Sequence, residues 1–545
     1  MSLSMYLGEA ERLTSSMNQA CEGIIQSMEQ IQQSISTLVF TSDLKGKTYD
    51  SAKAFMSQTY FPLAQGFVYL CEELIKQNTK YPSDFRAEVS PTDVVEAEIL
   101  DQIAEINRMI DSLRETSETI PLLRVSIMIY EKMKQMLELK LEKLYTFNGT
   151  SASNYETAIQ LANEITNGLQ EIKDGKGFNS NTGTFSTKGM DLDWATKLTD
   201  IHYDIKAEEE YGEYLDQFSN KEDRAEAKEK IIDILKFEDA NPEYVDQTNE
   251  FLSPLDEQDI IEIKHLMYTA DEPYRTLGMK YLDEFEIIVI TPEIRQEKNT
   301  NSNGFFSHQD NAIYLDVSEL RDDDRGSYYT YFHEVAHAFD YYYGQDNEEM
   351  LRTMIEDDDD LEFDDSTFFS DVYKIDEQTL SNRMHEDVRN NVHQEISREL
   401  ESPKYDDLSP EEKQEMLENV TENLMNQNDR FLELSSEEQE LQMLIDRKYT
   451  KLLEGPDHNT ASDVYGGVTN KTIEGNYSHG HDYWFDENGN RIREPNREGF
   501  AEYYARVVTP ESEENRGVES VETYLPSSKS HMDEYFRQMG EGDLK

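Results

Sequence analysis

Helical periodicity through the first third of the chain, two short β-branched runs and one H-E-x-x-H segment predict a protein that is mainly α with a small α+β domain. In the N-terminal region apolar side chains recur at intervals of three and four, the spacing of one face of an amphipathic helix. Further on, Phe285-Glu286-Ile287-Ile288-Val289-Ile290 and Asn311-Ala312-Ile313-Tyr314-Leu315-Asp316-Val317 read as strands, the first ended by Pro292. Both precede Tyr331-Phe332-His333-Glu334-Val335-Ala336-His337-Ala338-Phe339-Asp340, which reads as a buried helix. At 545 residues the chain is long enough for two or three domains, each with its own core.

From the N-terminus, Leu13, Met17, Ala20, Ile24, Met28, Ile31, Ile35 and Leu38 mark one long helix with a single apolar seam. Thr41-Ser42-Asp43-Leu44-Lys45-Gly46-Lys47 breaks it. Tyr49 to Lys76 then reads as a second helix, with Phe55, Phe61, Leu63, Phe67, Leu70 and Leu74, so a helical hairpin is expected. A polar connection through Pro82 and Pro91 leads to a heptad-like seam of Ile99, Ile103, Ile106, Ile110 and Leu113. Helical text resumes past Pro121 from Ile127 to Leu144, and again from about Tyr155 to Ile172. Gly175, Gly177, Asn179, Asn181 and Gly183 predict a loop or hairpin, and Trp194 to Gln217 returns to helix. The charged run from Ser219 to Lys230 marks a junction, giving an elongated helical bundle over 1–215 and a second domain over 216–545.

At Leu44-Lys45-Gly46, between two amphipathic helices, the chain resembles the LXG domain of bacterial polymorphic toxins. Lys47-Thr48-Tyr49-Asp50-Ser51-Ala52-Lys53, Pro62-Leu63 and Gly66-Phe67 fit that family's pattern, and the resemblance covers about the first two hundred residues. It implies export by the type VII secretion system of Gram-positive bacteria, small helical partner proteins beside the LXG domain, a toxic C-terminal domain and a cognate immunity protein.

Composition narrows the function classes. The balance of 51 Lys+Arg against 114 Asp+Glu gives a formal charge of -63, which repels nucleic acid and anionic membrane surfaces. Cys21 and Cys71 are too few for a disulfide framework or a cysteine zinc ribbon, and leave one bridge open. No apolar run approaches the roughly 20 residues that span a bilayer. The start MSLSMYLGEAERL lacks a basic n-region and an apolar h-region, so secretion without a cleavable signal peptide is expected.

The H-E-x-x-H run carries the chemistry. Residues four apart share a helical face, so His333 and His337 can grip one ion, and Glu334 sits where a carboxylate can take a proton from water without binding the metal. Phe332, Val335, Ala336, Phe339 and Tyr343 suit the remaining faces of a buried helix, and Gly344 is the expected stop. Strands followed by such a helix are the upper half of a zincin-type peptidase, in which a sheet edge pairs with an extended substrate. Asp322-Asp323-Asp324 suits either the positive end of that helix or a solvated loop. Beyond Gly344, Glu356 to Asp360, Glu362, Asp364 and Asp365 form an acidic stretch without calcium-loop spacing, and charged helical text runs from about Gln378 to Leu453. An acidic helical insertion over about 346–455 is expected.

Asn496-Arg497-Glu498-Gly499-Phe500-Ala501-Glu502 places two carboxylates four apart on one helical face, where one can bind metal while the other braces a ligand. Spacing does not say which. Here the chain resembles the anthrax lethal factor-like zincin peptidases, which pair an H-E-x-x-H-A-x-D helix with a downstream E-x-F-A-E helix. The resemblance covers roughly 280–345 and 460–510 and implies Glu498 as the third zinc ligand with Glu502 behind it. The two motifs stand about 160 residues apart, further than in that family. Between them lies Asn476-Tyr477-Ser478-His479-Gly480-His481-Asp482-Tyr483-Trp484. A hydrolase with a tetrahedral oxyanion needs a donor, and Tyr477, His481 and Tyr483 compete for that role, with His481 or Tyr483 favoured. His479 and His481 also suit a separate metal pair or a plain loop.

The expected protein is therefore a secreted zinc metallopeptidase toxin acting on a protein substrate. Zn2+ is bound by His333, His337 and Glu498, Glu334 is the general base, and His481 or Tyr483 is the oxyanion donor. The competing expectation is a non-enzymatic interaction module with a degenerate zincin-like binding domain, which would hold no stoichiometric zinc.

Overall fold

A computed structural model describes the chain except for residues 1, 42–43, 118–122, 174–176, 356–362, 426–430, 487–490, 510–515 and 542–545. Ser42, Asp43, Pro121, Gly175, Glu356 to Asp360 and Glu362 thus lie outside the described residues. The chain divides into two compact units, Met1–Glu210 and Tyr211–Lys545.

The first unit contains α1 (Leu7–Phe40), α2 (Lys47–Gln58), α3 (Tyr60–Glu88), α4 (Glu96–Ser117), α5 (Leu123–Ser151), α6 (Glu156–Lys173) and most of α7 (Asp193–Leu215), which kinks at Tyr211. Two small antiparallel pairings accompany them, β1 (Ser4–Met5) with β2 (Val94–Val95) and β3 (Phe178–Asn179) with β4 (Thr184–Phe185). Gly46, the glycine of the L-x-G triplet, has φ 111° immediately before α2. Residues with a Cβ rarely adopt that conformation, so a glycine is required where α1 gives way to α2.

Three expectations for this unit are corrected. The helix over Tyr49 to Lys76 breaks at Thr59, with φ -124° and ψ -64°, into α2 and α3. Pro82, expected in a connection, is buried inside α3, which continues to Glu88. The proline forfeits a backbone hydrogen bond, and the last turn is held instead by Phe85, packed with Leu7, Val94, Leu141, Leu144 and Phe147. The α1 seam is met at Met28, Ile35 and Leu38, of which Ile35 is buried, but over the first part of the helix it lies one step round from the expected positions. Leu13, Met17, Ile24 and Ile31 are exposed, while Asn18 donates to Thr79 at 3.0 Å and Gln32 bonds Gln65, so the face with Asn18, Cys21 and Gln32 meets α3. Polar pairs satisfy one another across that part of the contact and leave Leu13, Met17, Ile24 and Ile31 outside.

In the second unit α8 (Lys221–Ala240), α9 (Val245–Leu252), α10 (Glu257–Thr269) and α11 (Tyr274–Lys280) lead into a three-stranded sheet. β5 (Glu286–Val289) is followed by α12 (Pro292–Lys298), β6 (Gly304–Ser307) and β7 (Ala312–Leu315), in the order β5-β7-β6. β5 runs parallel and β6 antiparallel to β7, so β6 is an edge. Both strands read from the sequence are present. β6 escaped notice because Gly304-Phe305-Phe306-Ser307 is short and does not alternate.

α13 (Tyr329–Asp346) carries the H-E-x-x-H run, and Tyr329, Tyr331, Phe332, Ala336 and Ala338 are fully buried. After it come α14 (Glu348–Ile355), α15 (Phe369–Val372), α16 (Leu380–Leu400), α17 (Pro410–Met425), α18 (Ser436–Leu452), α19 (Asn459–Val468), α20 (His481–Trp484), α21 (Asn496–Val508), α22 (Gly517–Tyr524) and α23 (Pro526–Glu541). The segment expected as an acidic insertion is built into the unit. α16 buries Leu380, Met384, Val388, Val392 and Ile396 and packs on α17, α19 and α23. Asp364 caps a turn by accepting from Ser366 N at 2.8 Å.

Gly344 does not end α13, which continues to Asp346. It is instead a point of close approach. A Cβ there would stand 2.7 Å from Phe369 N and 3.2 Å from Phe368 C. Because both neighbours are backbone, Gly344→Ala must push the Phe368 segment off the helix. The variant is expected to lose about 1–3 kcal/mol, read as a lower thermal unfolding midpoint of the second unit.

Candidate functional site

The first turn of α13 is anchored by Asp323, the middle acid of the Asp322-Asp323-Asp324 triplet. Its carboxylate accepts from Thr330 Oγ1 at 2.8 Å and from Arg325 Nη2 at 2.8 Å. Behind that turn lies β6, and Gly304 permits the contact. A Cβ on it would meet Thr330 Cγ2 at 2.5 Å and the Glu334 Cγ and Oε1 at 3.2 Å. The edge strand thus lies directly against the residue expected as base.

One helical turn apart on α13, His333 and His337 bring their Nε2 atoms to 3.1 Å. Glu498 of α21 points Oε2 at both, 3.3 Å from His333 Nε2 and 3.7 Å from His337 Nε2, and that buried oxygen has hydrogen-bonding geometry to neither. Donors placed about 2.0–2.1 Å from a tetrahedral zinc are about 3.3 Å apart, so the three atoms are spaced as ligands of one ion. Two imidazoles and one carboxylate are also the donor set a catalytic zinc takes. Burial works to raise the Glu498 pKa, but the charges of His479 and His337 outweigh it and hold the carboxyl well below its usual range. Burial lowers the His337 pKa, and Glu498 more than restores it.

These residues line a cleft of about 530 Å³, with Gly304, Phe305 and Phe306 of β6 on one side and Phe368, Tyr483 and His479 among its other walls. The structure therefore brings His333, Glu334, His337, Tyr483 and Glu498 together, and it does not bring in His481. His481 is half-exposed, with Nδ1 3.7 Å from Asp482 and its ring beside Phe485, outside the cleft wall. Tyr477 is turned away as well, donating to Asp324 at 3.2 Å. The Tyr483 hydroxyl donates to Glu498 Oε1, the oxygen that does not face the histidines. Burial, then the neighbouring Glu498 charge, pushes the Tyr483 pKa well above its ordinary value.

His479, which the sequence alone suits to a loop or a separate metal pair, occupies the cleft wall. Asp463 of α19 accepts from its backbone N at 2.6 Å and from Nδ1 at 2.7 Å, and its ring stacks on Tyr483 with centroids 4.1 Å apart. Burial depresses its pKa, but Asp463 and then Glu498 dominate and raise it to about 10. Asp463, His479 and Glu498 form a second cluster with ligand spacing that shares Glu498 with the first. Arg497 and Asp371 were also missed. The Arg497 Nε bonds Asp371 Oδ1 at 2.8 Å while its guanidinium lies 4.0 Å over Phe368, which fixes that ring in the wall beside His337.

Glu502 sits behind the site in a separate polar hub. Burial, with Asp463 and Glu498 nearby, raises its carboxyl pKa well above the usual range. Asn459 donates to Glu502 Oε1 at 2.8 Å and to the Tyr329 hydroxyl at 2.7 Å, and accepts from Arg506 Nε at 3.1 Å. All of these groups are buried, so Asn459→Ala removes a hydrogen bond from each of Glu502, Tyr329 and Arg506 at once. A loss of about 2–4 kcal/mol is expected in urea unfolding, with no change in the spacing of the two histidines.

Comparison with known proteins gives one family match and one similar relative. Residues 7–120 match the LXG domain of the WXG superfamily. Over 203 residues, 37% of this chain, the sequence is 49% identical to a Bacillus cereus protein described as "Toxin", and that match spans 37% of the relative's length. No solved structure matches the chain. The family match ends at residue 120, well before the first residue of the cleft. Over residues 7–120 the chain is thus similar to the LXG domain of the WXG superfamily.

Proposed function

We propose that the protein is a secreted toxin whose second unit is a zinc-dependent peptidase. The observation that carries this reading is the buried triad of His333, His337 and Glu498, whose donor atoms have tetrahedral-ligand spacing at the bottom of a cleft bordered by a free strand edge. Zinc in that triad would supply Lewis acidity toward a peptide carbonyl and toward water. The chain's own residues do the rest. The outer edge of β6 pairs with an extended substrate backbone, and Phe306 and Phe368 provide an apolar wall for its side chains. Glu334, on the cleft wall against Gly304, accepts the proton of the attacking water. Tyr483 holds Glu498 from the side away from the histidines.

Elemental analysis should give about one zinc per chain, with most of it lost in His337→Ala. Glu334→Gln keeps the side-chain shape and the zinc, and lowers cleavage by roughly 10²- to 10⁴-fold. Glu498→Gln weakens zinc binding itself, so the pair separates a base from a ligand. Wild-type protein without stoichiometric zinc would replace this reading with the non-enzymatic binding module.

The LXG domain supports export by a type VII-like route with small helical partners, and a cognate immunity protein would bind the second unit. Along α5, Val125, Met128, Ile129, Met133, Met136 and Leu139 are each at least 47% exposed on one face, a stripe that another helix can cover. No helix among the described residues is long and apolar enough to cross a membrane. Met128→Asp combined with Met136→Asp should abolish co-purification of partners co-expressed from the same operon while leaving helicity by circular dichroism intact. Unchanged co-purification would move the partner surface elsewhere.

A further inference from the structure

We propose that His479, oriented by Asp463, is the catalytic residue that donates a hydrogen bond to the oxyanion formed at the scissile carbonyl. This assignment rests on the peptidase reading of the same cleft.

Acyl transfer places a negative charge on the carbonyl oxygen, and stabilising it requires an N–H or O–H already aimed at that position. The polar groups around the cleft can be sorted by what already occupies them. The Tyr483 hydroxyl is turned onto Glu498 Oε1, so its proton faces a ligand instead of the substrate. Tyr477 is bonded to Asp324 and His481 lies outside. Arg497 is committed to Asp371, and the Arg493 guanidinium lies 4.1 Å over the Tyr483 ring. His479 remains. Its Nε2 lies 4.0 Å from Glu498 Oε2, beyond hydrogen-bond reach, on the wall that faces the triad.

The ring is also fixed, as a preorganised donor must be. Asp463 accepts from both its backbone N and its Nδ1, Lys471 Nζ donates to its carbonyl oxygen at 2.6 Å, and Tyr483 covers one ring face. Asp463 is itself buried in α19. A buried carboxylate on Nδ1–H holds an imidazole in one orientation and stabilises its cationic form. Nε2, the ring nitrogen that Asp463 does not hold, lies on the side of the triad in the cleft wall. When the substrate carbonyl carbon bonds the water oxygen, the carbonyl π pair moves to oxygen and His479 Nε2–H receives it as a hydrogen-bond donor. When the tetrahedral carbon collapses, that pair re-forms the carbonyl, the C–N bond breaks, and the amine leaves with the proton first taken by Glu334. His479 gains and loses no proton over the cycle, and no oxidant or co-reactant is needed.

The test uses full-length protein loaded with zinc and a mixture-based fluorogenic peptide library. His479→Ala is expected to keep wild-type zinc by elemental analysis and to lower kcat about 100-fold with KM changed less than threefold. His479→Gln, which restores an N–H, should recover part of that loss. Asp463→Asn, a change at the positioning residue, should likewise lower kcat more than it raises KM. Tyr483→Phe should cost less than His479→Ala. Loss of zinc in His479→Ala would make the residue a ligand and overturn the assignment, as would wild-type kcat in that variant or a larger loss in Tyr483→Phe. Absence of cleavage by zinc-loaded wild-type protein would instead remove the peptidase reading itself, and this assignment with it.

Discussion

The Glu498 carboxylate is buried, and the second unit is organised around making that tolerable. An isolated carboxylate out of water would take up a proton. Here two imidazoles of α13 face one oxygen, the Tyr483 hydroxyl occupies the other, and His479 adds a third ring within 4.0 Å. The two imidazoles come from α13, Tyr483 from α20 and His479 from the loop before it, so keeping the charge requires those elements and α21 to hold fixed positions. Four residues along α21, Glu502 shows the opposite solution. It faces Asp463 and Glu498 without a cation close enough to dominate, and its carboxyl is driven toward the neutral form. Two acids one helical turn apart are thus shifted in opposite directions, because only Glu498 faces His333 and His337.

How much of this was legible in the sequence follows from the range over which each feature is encoded. His333 and His337 could be placed on one face because helical periodicity is local, and the apolar residues around them showed that the face is internal. Glu498 and Glu502 could be paired by the same rule, but assigning the ligand needed a family resemblance. His479 had no local signature. Its partner Asp463 lies sixteen residues upstream on a different element, and only the folded loop puts the two at 2.7 Å. His481, two residues on, looked equivalent in the text and is turned outward. Periodicity also misled where polar residues took the buried side, as when Asn18 and Gln32 placed the α1 contact one step round from its apolar stripe.

The two units bury apolar surface differently. In the second, α13 is buried along most of its length, and its His333, Glu334 and His337 line the cleft. In the first, helices pair through modest clusters such as Ile106, Ile110 and Ile127, and long stripes on α1 and α5 stay in water. A chain with a formal charge of -63 can remain dispersed with such stripes uncovered, because like-charged copies repel before the stripes meet. The same repulsion favours a partner of lower negative charge over self-association.

The long separation between the two motifs also acquires a structural meaning. Had residues 346–455 been a solvated insertion, the cleft would be complete without them. Instead Phe368 supplies its wall, Asp371 holds Arg497 at the start of α21, and Met384 of α16 packs where a Cβ on Gly499 would come within 2.3 Å. Gly499 adjoins Glu498. The helix that carries Glu498 is therefore seated by the segment that separates it from His333 and His337, and the shape of the cleft depends on residues that the motif-bearing stretches do not contain.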